Sequence, residues 1–305
     1  MADQESLGLR ESVVTRELVQ RLEAAEAGYT LAKQRALRAD EGNARGVELA
    51  QVGGTSLLSI QSQRNNPSVN RAMGFAREDL AHLDEMLAWL HARSAYFWFD
   101  VAPALADDAV LKALADAGLY PSFFLDVVYA RPQELPERAP DGVAVRQVDL
   151  GQEARDFTRA FSLGFGIPLD LLERTKQSAR VEHGAPGWRC YLATVAGEPA
   201  AMATLYAEGQ IAEIDAMATA PAYRRRGCQS ALLRRCLADA ARAGSTLIAS
   251  QAEPSSGSER NFCRAGFQIA YTKLLYAPRK PGRTPHVPCG QRRTDDDGRR
   301  EEIPG

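Results

Sequence analysis

The sequence predicts an α/β protein, a mixed central sheet flanked by helices, with a second α/β unit N-terminal to it. Three observations carry that reading. From residue 143 to residue 276, apolar runs of strand character alternate with segments of helical period. A strand–helix–strand order also occupies residues 95–131. Between the two units, Arg131–Asp141 carries three prolines and several charges, the composition of a linker.

The N-terminal unit begins with a Glu-, Arg-, Leu- and Ala-rich stretch over residues 5–40. Leu18, Leu22 and Ala25 recur there at helical spacing, so a docked amphipathic helix is expected, ending at Glu41-Gly42-Asn43. Val47–Ile60 reads as a strand pair about Gly53-Gly54, and Asn65-Asn66-Pro67 as a turn. Leu80, Leu83, Leu87 and Leu90 mark a helix. Ala95–Val101 is an aromatic strand, Ala106–Ala117 a helix and Pro121–Ala130 a strand.

Beyond the linker, Val143–Val148 predicts a strand, Glu153–Leu163 and Leu169–Arg180 two helices, and Trp188–Val195 a strand. Gly197-Glu198-Pro199 turns into Ala200–Tyr206, and Gly209-Gln210 into Ile211–Thr219. A helix over Gly227–Ala243 buries Leu233, Cys236, Leu237 and Ala240. Thr246–Ser250, Ser256–Ala265 and Phe267–Tyr276 complete the order as strand, helix and strand. From 279 onward the chain holds proline, glycine and charge with almost nothing apolar, so a disordered tail is expected. The expected organisation is a helical segment at 1–45, an α/β unit at 46–131, a linker at 132–141, a main domain at 142–278 and a tail at 279–305. Ala117-Gly118-Leu119 and Ala265-Gly266-Phe267 sit at matching points of the two strand–helix–strand runs. Tandem duplication and shared local grammar both account for that match.

With 37 basic and 39 acidic residues in 305, bulk charge does not point to nucleic acid. No apolar run reaches the ~18 residues of a membrane span. The polar, acidic start is unlike a secretory signal. Five cysteines (190, 228, 236, 263 and 289) show no paired spacing, and the four histidines are scattered. No metal site or disulfide framework is therefore expected, and a cytoplasmic location is.

Pro221–Leu233 is the most telling segment. A strand runs into a basic turn, Arg224-Arg225-Arg226-Gly227-Cys228-Gln229-Ser230, that opens an amphipathic helix. Helix N-termini expose unpaired N–H groups, and a glycine lets a ligand approach the backbone, so the turn suits a phosphate or pyrophosphate. Three arginines on a solvated helix start are the plainer account.

This turn resembles the Q/R-x-x-G-x-G/A motif of the GNAT N-acetyltransferase superfamily, and the element order from Val143 to Tyr276 is similar to that family's. The resemblance implies acetyl-CoA as co-substrate, with the backbone around Arg225–Ser230 on its pyrophosphate. Strand residues Met217, Ala218 and Thr219 would lie along its pantetheine arm, with Asn261 beside it. Gln229 departs from the motif's last Gly/Ala. The implied activity is acetyl transfer to a primary amine of a small molecule by direct attack on the thioester. Non-catalytic acyl-CoA or partner binding, and peptide or protein acetylation, are alternatives. No nucleic acid or membrane partner is implied, and either a monomer or a homodimer is compatible with the sequence.

Neutralising an amine of pKa about 10.4 at pH 7 costs roughly 4–5 kcal/mol, which a carboxylate base can supply. Glu213 and Asp215 share one face of the strand Ile211–Thr219. By the resemblance, Glu213 stands where family members with a glutamate base carry it; both acids are equally compatible with a wet sheet face. Where many GNAT enzymes carry a tyrosine acid, this chain has Phe262, leaving Tyr271, Cys263 and Asn261 as weaker candidates. Phe161–Pro168 is expected as a flexible apolar loop over the site, and Trp188 as core or cleft wall.

Overall fold

The computed structural model describes residues 13–136 and 139–279. The disordered-tail expectation therefore lies outside the described residues, Arg279 apart. Strands and helices alternate as α1 (Arg16–Ala39), β1 (Val47–Val52), β2 (Thr55–Ile60), β3 (Arg71–Met73), α2 (Leu83–Arg93), β4 (Trp98–Val101), α3 (Asp108–Asp116) and β5 (Leu119–Ala130). After the linker come β6 (Val143–Val148), α4 (Leu150–Phe165), α5 (Leu172–His183), β7 (Trp188–Val195), β8 (Glu198–Tyr206), β9 (Ile211–Thr219), α6 (Cys228–Arg242), β10 (Leu247–Ala252), α7 (Gly257–Arg264) and β11 (Gln268–Pro278).

All the strands join one eleven-stranded sheet in the order β1-β2-β3-β4-β11-β5-β10-β9-β8-β7-β6. The sequence β1-β2-β3-α2-β4-α3-β5 is repeated element for element by β7-β8-β9-α6-β10-α7-β11. Each half contains one parallel pair, β3 with β4 and β9 with β10. The last strands are exchanged. β5 leaves the first half to pair antiparallel with β10, and β11 returns to pair antiparallel with β4, so β5 and β11 meet at the centre. The linker thus separates two stretches of sequence but does not interrupt the sheet. β3, only three residues long, lacks any extended apolar run and is not legible as a strand.

Strand alternation sorts the core onto two faces. Phe97, Phe99, Leu119 and Tyr276 pack with Leu83, Met86 and Leu90 of α2 and Val110 and Leu114 of α3. Val128, Ala130, Ile214 and Ile248 pack with Leu232, Leu233, Cys236 and Leu237 of α6 and with Phe262 of α7. The opposite face carries α1, α4 and α5. The Thr15 hydroxyl caps α1 by accepting from the Leu18 N–H at 3.2 Å. Along its length α1 sets Val19 on Ala102 and Leu105, Leu22 on Val127, Tyr129, Ile211 and Ala249, and Leu37 on Val47 and Ile60. One helix thereby touches strands from both halves. α4 runs through most of the stretch expected as a loop and ends at Gly166, in the left-handed conformation (φ 68°) that glycine tolerates.

Candidate active site

β9 and β10 pair in parallel only from Leu247↔Ile211 to Ser250↔Ile214. A bulge in the β8–β9 register between Thr204 and Leu205 leaves Asp215 unopposed. Beyond it, Asp215–Thr219 keep β8 as a neighbour but have no register partner on the β10 side. The gap opens into a cleft of about 670 Å³. Asp215 to Thr219 form one wall, and Ser250 to Glu253 of β10 and the residues after it face them; Gln229 and Asn261 line the helix side.

The basic turn forms one end of this cleft. Arg225 (φ 62°) and Gly227 (φ 78°) both adopt left-handed backbone, and no side chain caps the N-terminus of α6. A Cβ on Gly227 would lie 2.5 Å from Pro140 Cγ, so only glycine fits. Arg224, Arg225, Gly227, Cys228, Gln229 and Ser230 line the cleft, as do Met217, Ala218, Thr219 and Asn261. Arg226 does not: its guanidinium turns over the Tyr223 ring, 5.8 Å from the centroid. Gln229 is held back from the motif's crowded position. It accepts from Asn261 Nδ2 at 2.7 Å and donates to Ser258 Oγ at 3.2 Å. Burial pushes the Cys228 thiol up, which keeps it protonated.

The two candidate bases are separated by the bulge. Asp215 lines the cleft, where Lys33 Nζ donates to its Oδ1 at 2.7 Å and His183 Nε2 lies 3.2 Å from its Oδ2. Burial works to raise its pKa, but the Lys33 ammonium and the His183 contact hold it well below the usual carboxylate range. Glu213, 4% exposed, is absent from the cleft wall and sits in the layer beneath α1. Burial, reinforced by the charge of Glu26, raises its pKa well above normal. Glu213 is thus a buried acid off the cleft wall, whereas Asp215, the other candidate base, stands on it.

The surroundings of Glu213 are a buried ion network that sequence reading missed. Lys273 of β11 binds Glu23 at 2.8 Å and also Glu26, both on α1, while Arg71 of β3 binds Glu26 at 2.8 Å and also Asp100 of β4. Tyr271 donates to Glu23 at 2.6 Å, which removes it from the list of acids for the cleft. Cys263 is exposed and off the cleft wall. Phe262 lines the cleft but is 2% exposed and packs edge-on against Phe267. Trp188 is core: it packs among Tyr29, His183 and Tyr206. Among the described residues, no group of three or more His, Cys, Asp or Glu is placed to hold a metal, and no helix is long and apolar enough to cross a membrane.

A long mixed sheet with one strand pair splayed beside an uncapped, arginine-flanked helix start defines an α/β fold of the GNAT type. Residues 155–267 match the model of the Acetyltransferase (GNAT) family. Similar solved structures extend the likeness over most of the chain. A GCN5-related N-acetyltransferase from Kribbella flavida superposes with a TM-score of 0.64 at 15% identity, covering 86% of this chain and 96% of its own. A tandem GNAT protein from the clavulanic acid biosynthesis pathway gives 0.59 at 14% identity, with 88% and 95% covered. A GCN5-related N-acetyltransferase from Sphaerobacter thermophilus gives 0.56 at 18%, with 80% and 84% covered. At these identities the likeness is one of fold. The curated proteins contain no sequence match.

Proposed function

We propose that this chain transfers the acetyl group of acetyl-CoA to the primary amine of a small molecule. The observation that carries the proposal is the continuity of one cleft from the Arg225–Ser230 turn, past the open edge of β9, to the carboxylate of Asp215. The groups along it fit this co-substrate. Uncapped N–H groups at the α6 start, with Arg224 and Arg225 beside them, suit a pyrophosphate. The unpaired edge of Met217–Thr219 suits the amides of a pantetheine arm, which would add as a short strand. Asn261, fixed by Gln229, offers a further amide.

Bound acetyl-CoA supplies an activated acetyl thioester. The chain's own part is to orient the amine and to stabilise the charge that its nitrogen acquires. Of the two carboxylates on the cleft wall, Glu253 lies on the α6 and α7 side and Asp215 on β9, so contact with the amine is assigned to Asp215; Lys33 and His183 hold it in place. A carboxylate kept so far below neutrality stores a proton poorly. The neutral fraction of the amine in solution then governs the rate, and kcat/KM rises with pH toward the amine's own pKa.

Phe262 and the ion-paired state of Asp215 favour a second reading, a module that binds acyl-CoA without turnover. Thermal stabilisation by acetyl-CoA, followed by free-thiol release with a panel of amines, separates the two. At 100 times its Kd, acetyl-CoA should stabilise the fold by about 2.7 kcal/mol. No stabilisation sinks both readings, and stabilisation without thiol release leaves the module.

A further inference from the structure

The cleft does not end within the GNAT domain. On the sheet face that carries α1 and α4, its wall continues into the first half of the chain as Trp98 of β4, Phe123 and Leu125 of β5, and Ser68. The Trp98 and Phe123 rings are stacked, with centroids 5.8 Å apart and planes within 3°. Leu275 and Ala277 of β11 support them from within the sheet. Phe165, at the end of α4, faces the same space. Gly164 lets α4 approach this closely, since a Cβ there would lie 2.5 Å from that of Ala218.

This end differs in chemistry from the other. Arg224, Arg225, Arg264 and Glu253 gather beside α6 and α7, whereas the shelf side has one hydroxyl, Ser68, and shares the cleft with the carboxylate of Asp215 on β9. A flat apolar surface and a carboxylate within one cleft match a molecule with an aromatic body and an amino group on a connecting chain. An acetyl group, two carbons long and delivered from the α6 side, does not fill it.

We infer that the first half of the chain recognises the acceptor: Trp98, Phe123 and Leu125 form a shelf for the aromatic body of an arylalkylamine whose amino group reaches Asp215. The inference rests on the acetyl-transfer reading for the role of that amine, but binding to the shelf is measurable without turnover. The exchange of β5 into the second half is what carries Phe123 and Leu125 to this position.

The test uses the full chain, with 2-phenylethylamine and 1,4-diaminobutane as probes, by calorimetry without co-substrate and by thiol release with acetyl-CoA. Phenylethylamine should bind more tightly than diaminobutane. Phe123→Ala should weaken it about 10–100-fold, the worth of a buried aromatic ring, raising its KM with acetyl-CoA affinity unchanged. Leu125→Trp, which fills the shelf without opening a hole in the fold, should do the same. Equal binding of the two amines, with both variants silent, overturns the inference. So do variants that raise the KM of octanoyl-CoA and not that of the amine, which would give the shelf to an acyl chain. Amine binding that depends on Phe123 but produces no thiol refutes the transfer reading and leaves the shelf standing.

Discussion

The two halves share one element order, yet they treat the turn after their parallel-paired strand in opposite ways. In the second half, β9 is nine residues long, splays from β10 and leads into Arg224-Arg225-Arg226-Gly227 and an uncapped helix. In the first half, β3 is three residues long and leads through Gly74-Phe75-Ala76 into a 3-10 helix, Arg77–His82, before α2 begins. There the acid Asp79 is buried, accepting from the Gly54 N–H and the Thr55 hydroxyl, each at 2.8 Å. It closes the β1–β2 hairpin with a carboxylate and leaves no place for a phosphate. One scaffold supports both outcomes, and what separates them is the chemistry of a few turn residues.

The largest effect should come from the network that ties the halves together. Lys273→Met would leave Glu23 without its cation and Glu26 with Arg71 alone, and should cost about 3–5 kcal/mol. Calorimetry should show a single transition at lower temperature; two separate transitions would mean that the halves are independent domains. Next, Gly227→Val places a β-branched side chain at φ 78° and against Pro140. It should lower acetyl-CoA affinity on the order of 100-fold by titration calorimetry.

Asp79→Ala, at the corresponding turn of the first half, should cost about 1–3 kcal/mol in denaturant melts by orphaning two donors. Acetyl-CoA affinity should stay the same, and a loss comparable to that of Gly227→Val would break the contrast between the turns. The smallest effect concerns pH. A carboxyl whose folded pKa is raised contributes stability that is complete below its unfolded pKa, about 4.3, and lost as pH rises through the folded value. Glu213→Gln should therefore gain in melting temperature relative to the parent as pH increases from 5 to 8. A constant difference across that range would remove Glu213 from the titrating groups.

The second half was largely legible in the sequence because its signals are local. A glycine before a helical period, with arginines preceding it, specifies a helix start and an anion-binding turn within seven residues. The buried network was not, because its partners lie far apart in the chain: Lys33 and Asp215 are separated by 182 positions, and Tyr271 and Glu23 by 248. No period or spacing announces such pairs. The placement of Glu213 was not legible for a related reason. Alternation places Glu213 and Asp215 on one face, but a bulge between strands decides which of them reaches the cleft, and α1 covers the other. Duplication was easier to see in space than in sequence, since β3 and β9 keep only the short Ala72-Met73 and Ala216-Met217 echo.

The exchanged strands impose a schedule on synthesis. When the ribosome has completed β5, the first half still lacks β11, the strand that belongs beside β4, and that strand is among the last described residues to emerge. Until then the β4 edge and the whole of β5 present unpaired backbone, a template for wrong partners. Either half cut out alone would lack a strand that the other supplies, and a chain that terminates before residue 268 loses the middle of its sheet rather than its end.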